Sequence, residues 1–378
     1  MFGNKINLFS ILGFKVSVDA SWIILFLLLT WSLARGIFPY YFSDLSNATY
    51  WWMGLIGSLG LFFSIIFHEL CHSLVARRFG IPMRGITLFI FGGVAEMHEE
   101  PPSAGAEFMM ALAGPLSSLI LGGVVYLIYR VGYPFYSLPI QGVLFYLALT
   151  NVMLAAFNLV PAFPLDGGRV LRSILWKVKK DLPWATRISS NVGAFFGILL
   201  MFLGILSMFS GNIIGGVWWF LIGIFVKNAA GMSYRQLITR RALEGEKVER
   251  FMVSDPISVS PSLPLSELIK DYIYKYHYKS FPVVSSGTPV GCVTLNQVKN
   301  FSPGEWDRHS VGEIASKNLA DNTISPDTEA VEALAIMNRT GNTRLLVVRD
   351  HKLVGIVSLR DLLRFLSIKM DLGKQPRM

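Results

Sequence analysis

Long apolar runs alternate with short polar segments through roughly the first 230 residues and then cease. Six runs approach the length of about 20 mostly apolar residues that a helix needs to cross a bilayer. They lie near Ala20–Phe38, Trp51–Val75, Phe108–Tyr129, Ile140–Val160, Val192–Phe209 and Ile213–Val226, the last short unless it continues to Ala230. Between the second and third runs, IPMRGITLFIFGGVAEM alternates β-branched and aromatic residues around Gly92-Gly93. That pattern reads as a strand or short hairpin. Two roles fit it: an edge that pairs with an extended peptide, or an ordinary turn in a cytosolic loop. The residues alone leave the turn slightly ahead.

Composition supports a membrane protein. Hydrophobic residues make up 52% and charged residues 16% of the 378, against about 25% charge in soluble domains; mean hydropathy is +0.49. The net charge of +9 would suit nucleic acid, but the basic residues gather at the ends of apolar runs: Arg77, Arg78 and Arg84; Arg169, Arg172, Lys177, Lys179 and Lys180; Arg235, Arg240 and Arg241. Such clusters anchor spans on the cytosolic side, so no nucleic-acid partner is expected. With Lys5 and Lys15 before the first run, they predict a multi-pass protein of the cell membrane with its N-terminus and C-terminal region in the cytosol. Arg35 and Arg130 fall on the other side without reversing the balance. Cys71 and Cys292 lie far apart and imply no disulfide framework. Met1 to Asp19 has no continuous apolar core ending in a cleavage site, so no signal peptide is expected.

Within the second run, residues 67–73 read FHELCHS. Helical spacing puts His68 and His72 on one face, where both imidazoles can hold one metal ion. Glu69 can reach a water bound to that ion. Ionisable residues at membrane depth are costly and mark functional sites. A catalytic zinc site usually has three protein ligands. After the fourth run comes NLVPAFPLDGGRV, where Asn158, Pro161 and Pro164 interrupt helix. Asp166 follows, as a third ligand or as the N-cap of a helix over Arg169–Val178. His98 sits among acidic and proline residues, and His277, His309 and His351 lie in the soluble half, which leaves Asp166 as the leading third ligand.

FHELCHS in one span joined to NLVPAFPLDGGR after a later span resembles the site-2 proteases, a family of intramembrane zinc metalloproteases. GFKVSVDASW, FGGVAEM and ALAGPLSSL extend the likeness over about 230 residues. The resemblance implies one zinc ion per chain on His68, His72 and Asp166, with Glu69 as general base. It implies that Asn158 contacts the substrate near the metal and that Gly92 and Gly93 belong to a substrate-pairing strand. That places the strand reading ahead of the turn. Leu159 replaces the proline that commonly follows the asparagine. Membrane-spanning substrates are implied, among them membrane-tethered transcription regulators or anti-sigma-type inhibitors. Cleavage of a transmembrane helix requires local unwinding, since its backbone groups are satisfied internally.

The soluble half opens with the basic connector RQLITRRALEGEK and then repeats itself. VSPSLPLSELI…FPVVSSGTPVGCVTL is echoed by ISPDTEAVEAL…LLVVRDHKLVGIVSL at an offset of about 64 residues. Each copy reads as strand, helix, strand, turn, strand, helix. This resembles a tandem pair of CBS domains. The expected fold class is therefore an α-helical polytopic membrane protein, with about six transmembrane helices and a short membrane-associated β segment, plus a cytosolic α/β tandem CBS module. The domains are expected at 1–232 for the protease, 233–247 for the linker, 248–307 for the first CBS copy and 308–370 for the second. The resemblance implies an adenine nucleotide, with Ser358 and Asp361 of GIVSLRD as its contacts, and the module as a candidate homodimer contact. In the first copy Gln297 replaces the acid. The plainer reading of Asp361 is a cap on the final helix.

Two other functions fit the residues. A CBS-regulated ion transporter or channel would use the His/Glu/Asp cluster for permeation, and a catalytically silent relative would only bind helices. The HExxH register argues against the first and the intact Glu69 against the second.

Overall fold

The computed structural model describes residues 5–81, 83–89, 92–97, 100–316, 319 and 322–373. The chain divides into two compact units, Met1–Arg235 and Gln236–Met378.

Among the described residues, six helices are long and apolar enough to cross a membrane, the first five within the first unit and the sixth beginning in it. In chain order these are α1 (Ala20–Tyr41, with a π-helical turn at Leu33–Ile37), α2 (Asn47–Arg78), α3 (Ala104–Gly132) and α4 (Leu138–Asn158). The amphipathic α5 (Asp166–Lys179) lies between α4 and α6 (Leu182–Phe209), and α7 (Ile213–Leu243) is the last. Side-chain oxygens set four of the starts. Asp19 accepts from the Ser21 amide, Ser46 from Thr49, Ser103 from Ala106 and Asp181 from Trp184, each satisfying an amide that the helix leaves open. The bundle inverts the soluble pattern. Leu27, Trp52, Phe63, Leu127, Met153 and Phe195 point outward, while Ser58, Ser73, Ser118, Asn151 and Thr186 are buried. An apolar exterior over a polar interior suits a lipid solvent, and the protein is a multi-pass membrane protein.

The helices outrun the apolar runs wherever polar residues face protein instead of water. α3 begins at Ala104 and so takes in Glu107, which is fully buried. α6 begins at Leu182 because Thr186, Ser189 and Ser190 turn inward. α4 ends at Asn158, just short of the apolar run's own end at Val160, because Pro161 disfavours helical backbone in the residue before it.

The β segment is larger than the sequence suggests. Strands β1 (Lys5–Ile11), β2 (Phe14–Asp19), β3 (Met83–Phe89) and β4 (Gly92–Met97) form one sheet in that order. β1 pairs antiparallel with β2, β2 parallel with β3, and β3 antiparallel with β4. Phe14, Val16 and Val18 alternate inward along β2, the period-2 signal of a half-buried strand. The sheet packs on α2: Phe14 and Ile86 cluster with Leu70, and Val18 and Leu88 with Phe62. The ordinary turn is thus replaced by a hairpin, and β4 is an edge of the sheet.

The second unit has two cores. Val259, Leu265, Leu268, Phe281, Val283 and Val293 build the first around strands β6 (Ser280–Ser285) and β7 (Thr288–Thr294). Ala330, Leu345, Val347, Val357 and Leu362 build the second. Its sheet runs β5 (Val253–Ser254), β10 (Lys352–Ser358), β9 (Arg344–Arg349), β8 (Thr323–Ile324). The connector expected as a linker is helical to Leu243, and Leu243 and Val248 are both buried in this second core.

Candidate metal centre

Three elements bring the site together: α2, the N-terminus of α5, and one face of α3. His68 and His72 are one helical turn apart on α2, with ring centroids 4.7 Å apart and planes at 77°. Asp166 is the first residue of α5. The N-cap position belongs to Leu165, and no side chain caps the helix there. The carboxylate goes to the histidines instead. Asp166 Oδ2 lies 3.1 Å from His68 Nε2 and 3.1 Å from His72 Nε2, and the two Nε2 atoms are 3.1 Å apart. All three side chains are largely shielded, at 4%, 10% and 15% exposure for His68, His72 and Asp166.

This triangle fits zinc. Ligand atoms about 2.0–2.1 Å from a tetrahedral ion stand roughly 3.3 Å from one another. Three electron-rich atoms converging at such distances repel unless protons or a metal cation lie among them, and a bound metal meets all three at once. Two nitrogens and a carboxylate oxygen form a common catalytic-zinc donor set, leaving a fourth position for water or substrate.

The far nitrogens are held by α3. His72 Nδ1 donates to the Met110 carbonyl oxygen at 2.6 Å, and His68 Nδ1 lies 2.9 Å from Ser118 Oγ. Such partners fix ring orientation and leave Nε2 for the metal. Between them, Gly114 lies against both rings. A Cβ there would stand 2.1 Å from His72 Nε2 and 2.5 Å from His68 Nε2. Met110, Gly114 and Ser118 recur every fourth residue and share a face. ALAGPLSSL contributes most of this wall, a role the residues themselves do not disclose.

Glu69 follows the first histidine in sequence and sits half-buried against β4 in space: a Cβ on Gly93 would lie 2.7 Å from Glu69 Cγ and 3.2 Å from its Oε1. Gly93 pairs with Leu88 and Gly92 with Phe89. Asn158 closes α4, half-buried. The glycines after Asp166 answer a packing demand. The 159–165 loop folds so tightly over α5 that a Cβ on Gly167 would meet the Leu159 carbonyl oxygen at 2.2 Å, and one on Gly168 the Phe163 amide nitrogen at 2.3 Å.

Arg172 departs from its expected place. It does not anchor a span at the lipid surface but is buried, paired with Glu107 of α3. His98 lies outside the described residues. His68, His72 and Asp166 form the only such metal-ready cluster among the described residues.

In the second unit, Ser358 and Asp361 bind each other. Ser358 donates to Asp361 Oδ2 through its hydroxyl at 2.5 Å and its amide at 3.1 Å, and the Asp361 amide lies 3.3 Å from Ser358 Oγ. This reciprocal cap starts the helix Leu359–Gly373. Thr294 and Gln297 form the same box in the first copy.

The peptidase family M50 model matches residues 56–137 and 134–203, and the CBS domain model matches 248–304 and 311–368. The chain is 33% identical over 366 residues to zinc metalloprotease MJ0392 of Methanocaldococcus jannaschii, covering 96% of each. It is 32% identical over 371 residues to the Rip3 protein of Mycobacterium tuberculosis, covering 97% of this chain and 93% of that one. Among solved structures, it matches the site-2 protease from Methanocaldococcus jannaschii at 34% identity. That match covers 61% of this chain and 94% of the other, with a TM-score of 0.43. Similarity to MJ0392 and Rip3 over nearly the whole length of each chain settles the family: the chain belongs to peptidase family M50, as a site-2 type zinc metalloprotease that carries a pair of CBS domains.

Proposed function

We propose that the protein cleaves transmembrane segments of membrane proteins in regulated intramembrane proteolysis, with His68, His72 and Asp166 holding one zinc ion and Glu69 acting as general base. The observation that carries this reading is the 3.1 Å triangle of donor atoms, drawn from residues 98 and 94 positions apart in sequence. When bound, zinc supplies Lewis acidity that activates water and polarises the scissile carbonyl. Glu69 accepts the proton of the attacking water at its carboxylate and returns it to the leaving amine. Asn158 contacts the substrate near the reacting carbonyl.

A substrate helix must unwind to expose its peptide bond. β4 is an edge strand, and its Gly93 stands against Glu69. An unwound segment pairing there regains backbone hydrogen bonds while passing the general base. Gly92 and Gly93 keep the approach clear of side chains. The basic clusters support a cytosolic N-terminus and a cytosolic CBS module. The substrate class is membrane-tethered transcription regulators or their anti-sigma-type inhibitors.

Glu69→Gln tests the assignment. The purified variant retains about one zinc per chain and loses at least about 100-fold in cleavage of a single-span substrate. Residual cleavage near the wild-type rate refutes the role of Glu69, and a metal-free wild-type protein refutes the centre.

The CBS pair is the proposed nucleotide sensor. The cap of Ser358 and Asp361 uses Asp361 Oδ2, so the second carboxylate oxygen can accept from a ribose hydroxyl with the cap intact. Titration of the full chain with ATP, ADP and AMP tests this, read as cleavage rate. Equal rates at saturation remove nucleotide gating.

A further inference from the structure

The face of α3 that shapes the histidines extends one step further toward its N-terminus. Glu107, Met110, Gly114 and Ser118 are spaced by three, four and four, which is one helical stripe. Met110 and Ser118 hold the two imidazoles, and Gly114 touches both. Glu107, at the head of the stripe, meets α5, the helix whose first residue is Asp166. Arg172 Nε donates to Glu107 Oε1 at 2.6 Å, and its Nη2 closes on the same oxygen. The pair is deeply enclosed, with Arg172 5% exposed and Glu107 fully buried. Arg172 Nη2 also donates to Glu100 Oε2 at 3.3 Å. The guanidinium lies 5.2 Å from the centroid of the Phe163 ring, in the loop leading to Asp166.

We infer that the Glu107–Arg172 ion pair is the positioning element that sets Asp166 against His68 and His72. The inference rests on the zinc-ligand reading above. Asp166 reaches the histidines only if α5 holds its slide and rotation relative to α3. The other two ligands take their orientation from α3 itself. The pair therefore closes a circuit in which all three ligands refer to one rigid helix. Desolvating two charges makes such a pair a poor source of stability compared with apolar residues of similar volume. What the planar, multidentate guanidinium provides is direction.

Two variants of the full-length protein test this, R172K and the neutral pair E107M/R172M, each measured for zinc release to a chelator, for kcat and KM separately, and for thermal unfolding. R172K keeps the charge and loses the fork. It is expected to release zinc roughly tenfold faster, in the range of a lost orienting partner. Its kcat is expected to fall by a similar factor with KM unchanged. E107M/R172M removes the buried charges, so folding does not depend on an unpaired ion; it is expected to unfold at or above the wild-type temperature with the same fast zinc release. Zinc release and kcat within twofold of wild type in R172K overturn the inference, whether or not thermal stability drops and whether or not the double variant folds. A wild-type protein that binds no zinc would instead refute the ligand reading beneath it.

Discussion

His72 and Met110 meet through a backbone carbonyl: the imidazole Nδ1 donates to the Met110 oxygen at 2.6 Å. No side-chain substitution at 110 deletes that acceptor. His68 depends instead on a side chain, Ser118 Oγ at 2.9 Å. The two imidazoles on one helix are therefore held with unequal vulnerability to mutation.

Ser118→Ala removes the support of His68 alone. Loss of such an orienting partner costs about 10–100-fold in metal affinity. Competition with a graded series of chelators reads the change directly, and unaltered zinc affinity would show that Ser118 merely fills space.

Gly114→Ala places a methyl group 2.1 Å from His72 Nε2 and 2.5 Å from His68 Nε2. The rings must move by more than a few tenths of an ångström. Displacements of about 1 Å cost on the order of 100-fold in rate. The expected outcome is a folded protein with sub-stoichiometric zinc by mass spectrometry and cleavage reduced by about that factor.

Gly93→Ala probes the other side of Glu69. Its methyl group would press on Glu69 Cγ at 2.7 Å and leaves the zinc ligands untouched. Full zinc occupancy with sharply reduced cleavage is expected, the reverse of the Gly114 phenotype. If zinc and activity fall together, β4 acts on the metal and not on the base.

Asp361→Ala opens the cap that Ser358 and Asp361 share. Loss of a cap costs about 1 kcal/mol of local stability. Hydrogen exchange in the full chain should quicken over Leu359–Gly373, with the membrane helices unchanged. Thr294→Val should do the same to the short helix Leu295–Val298 of the first copy, whose box uses Gln297.

Local signals carry much of this architecture. Apolar runs locate all six spans, because lipid demands long uninterrupted hydrophobicity. FHELCHS locates two donors, because helical spacing alone sets their geometry. Asp166 needs a second motif, since 94 residues separate it from His72. The wall of Met110, Gly114 and Ser118 is silent in the sequence: small residues in an apolar run look the same whether they face a metal or another helix. Arg172 reads as a lipid anchor because charge at a span's end usually is one, and only its partner Glu107 reveals otherwise. The N-terminal hairpin escapes a local reading because β1 and β2 find their shelter on β3 and α2, distant in sequence. The polar connector resembles a linker, yet Leu243 enters a core.

β4 is an edge strand that begins with two residues without side chains, Gly92 and Gly93. On the proposed function, an edge bare of side chains at those two positions would recognise the common skeleton of every polypeptide and few of its letters. Discrimination among clients then has to reside in how readily a client's helix comes apart, and in who is admitted to the edge at all.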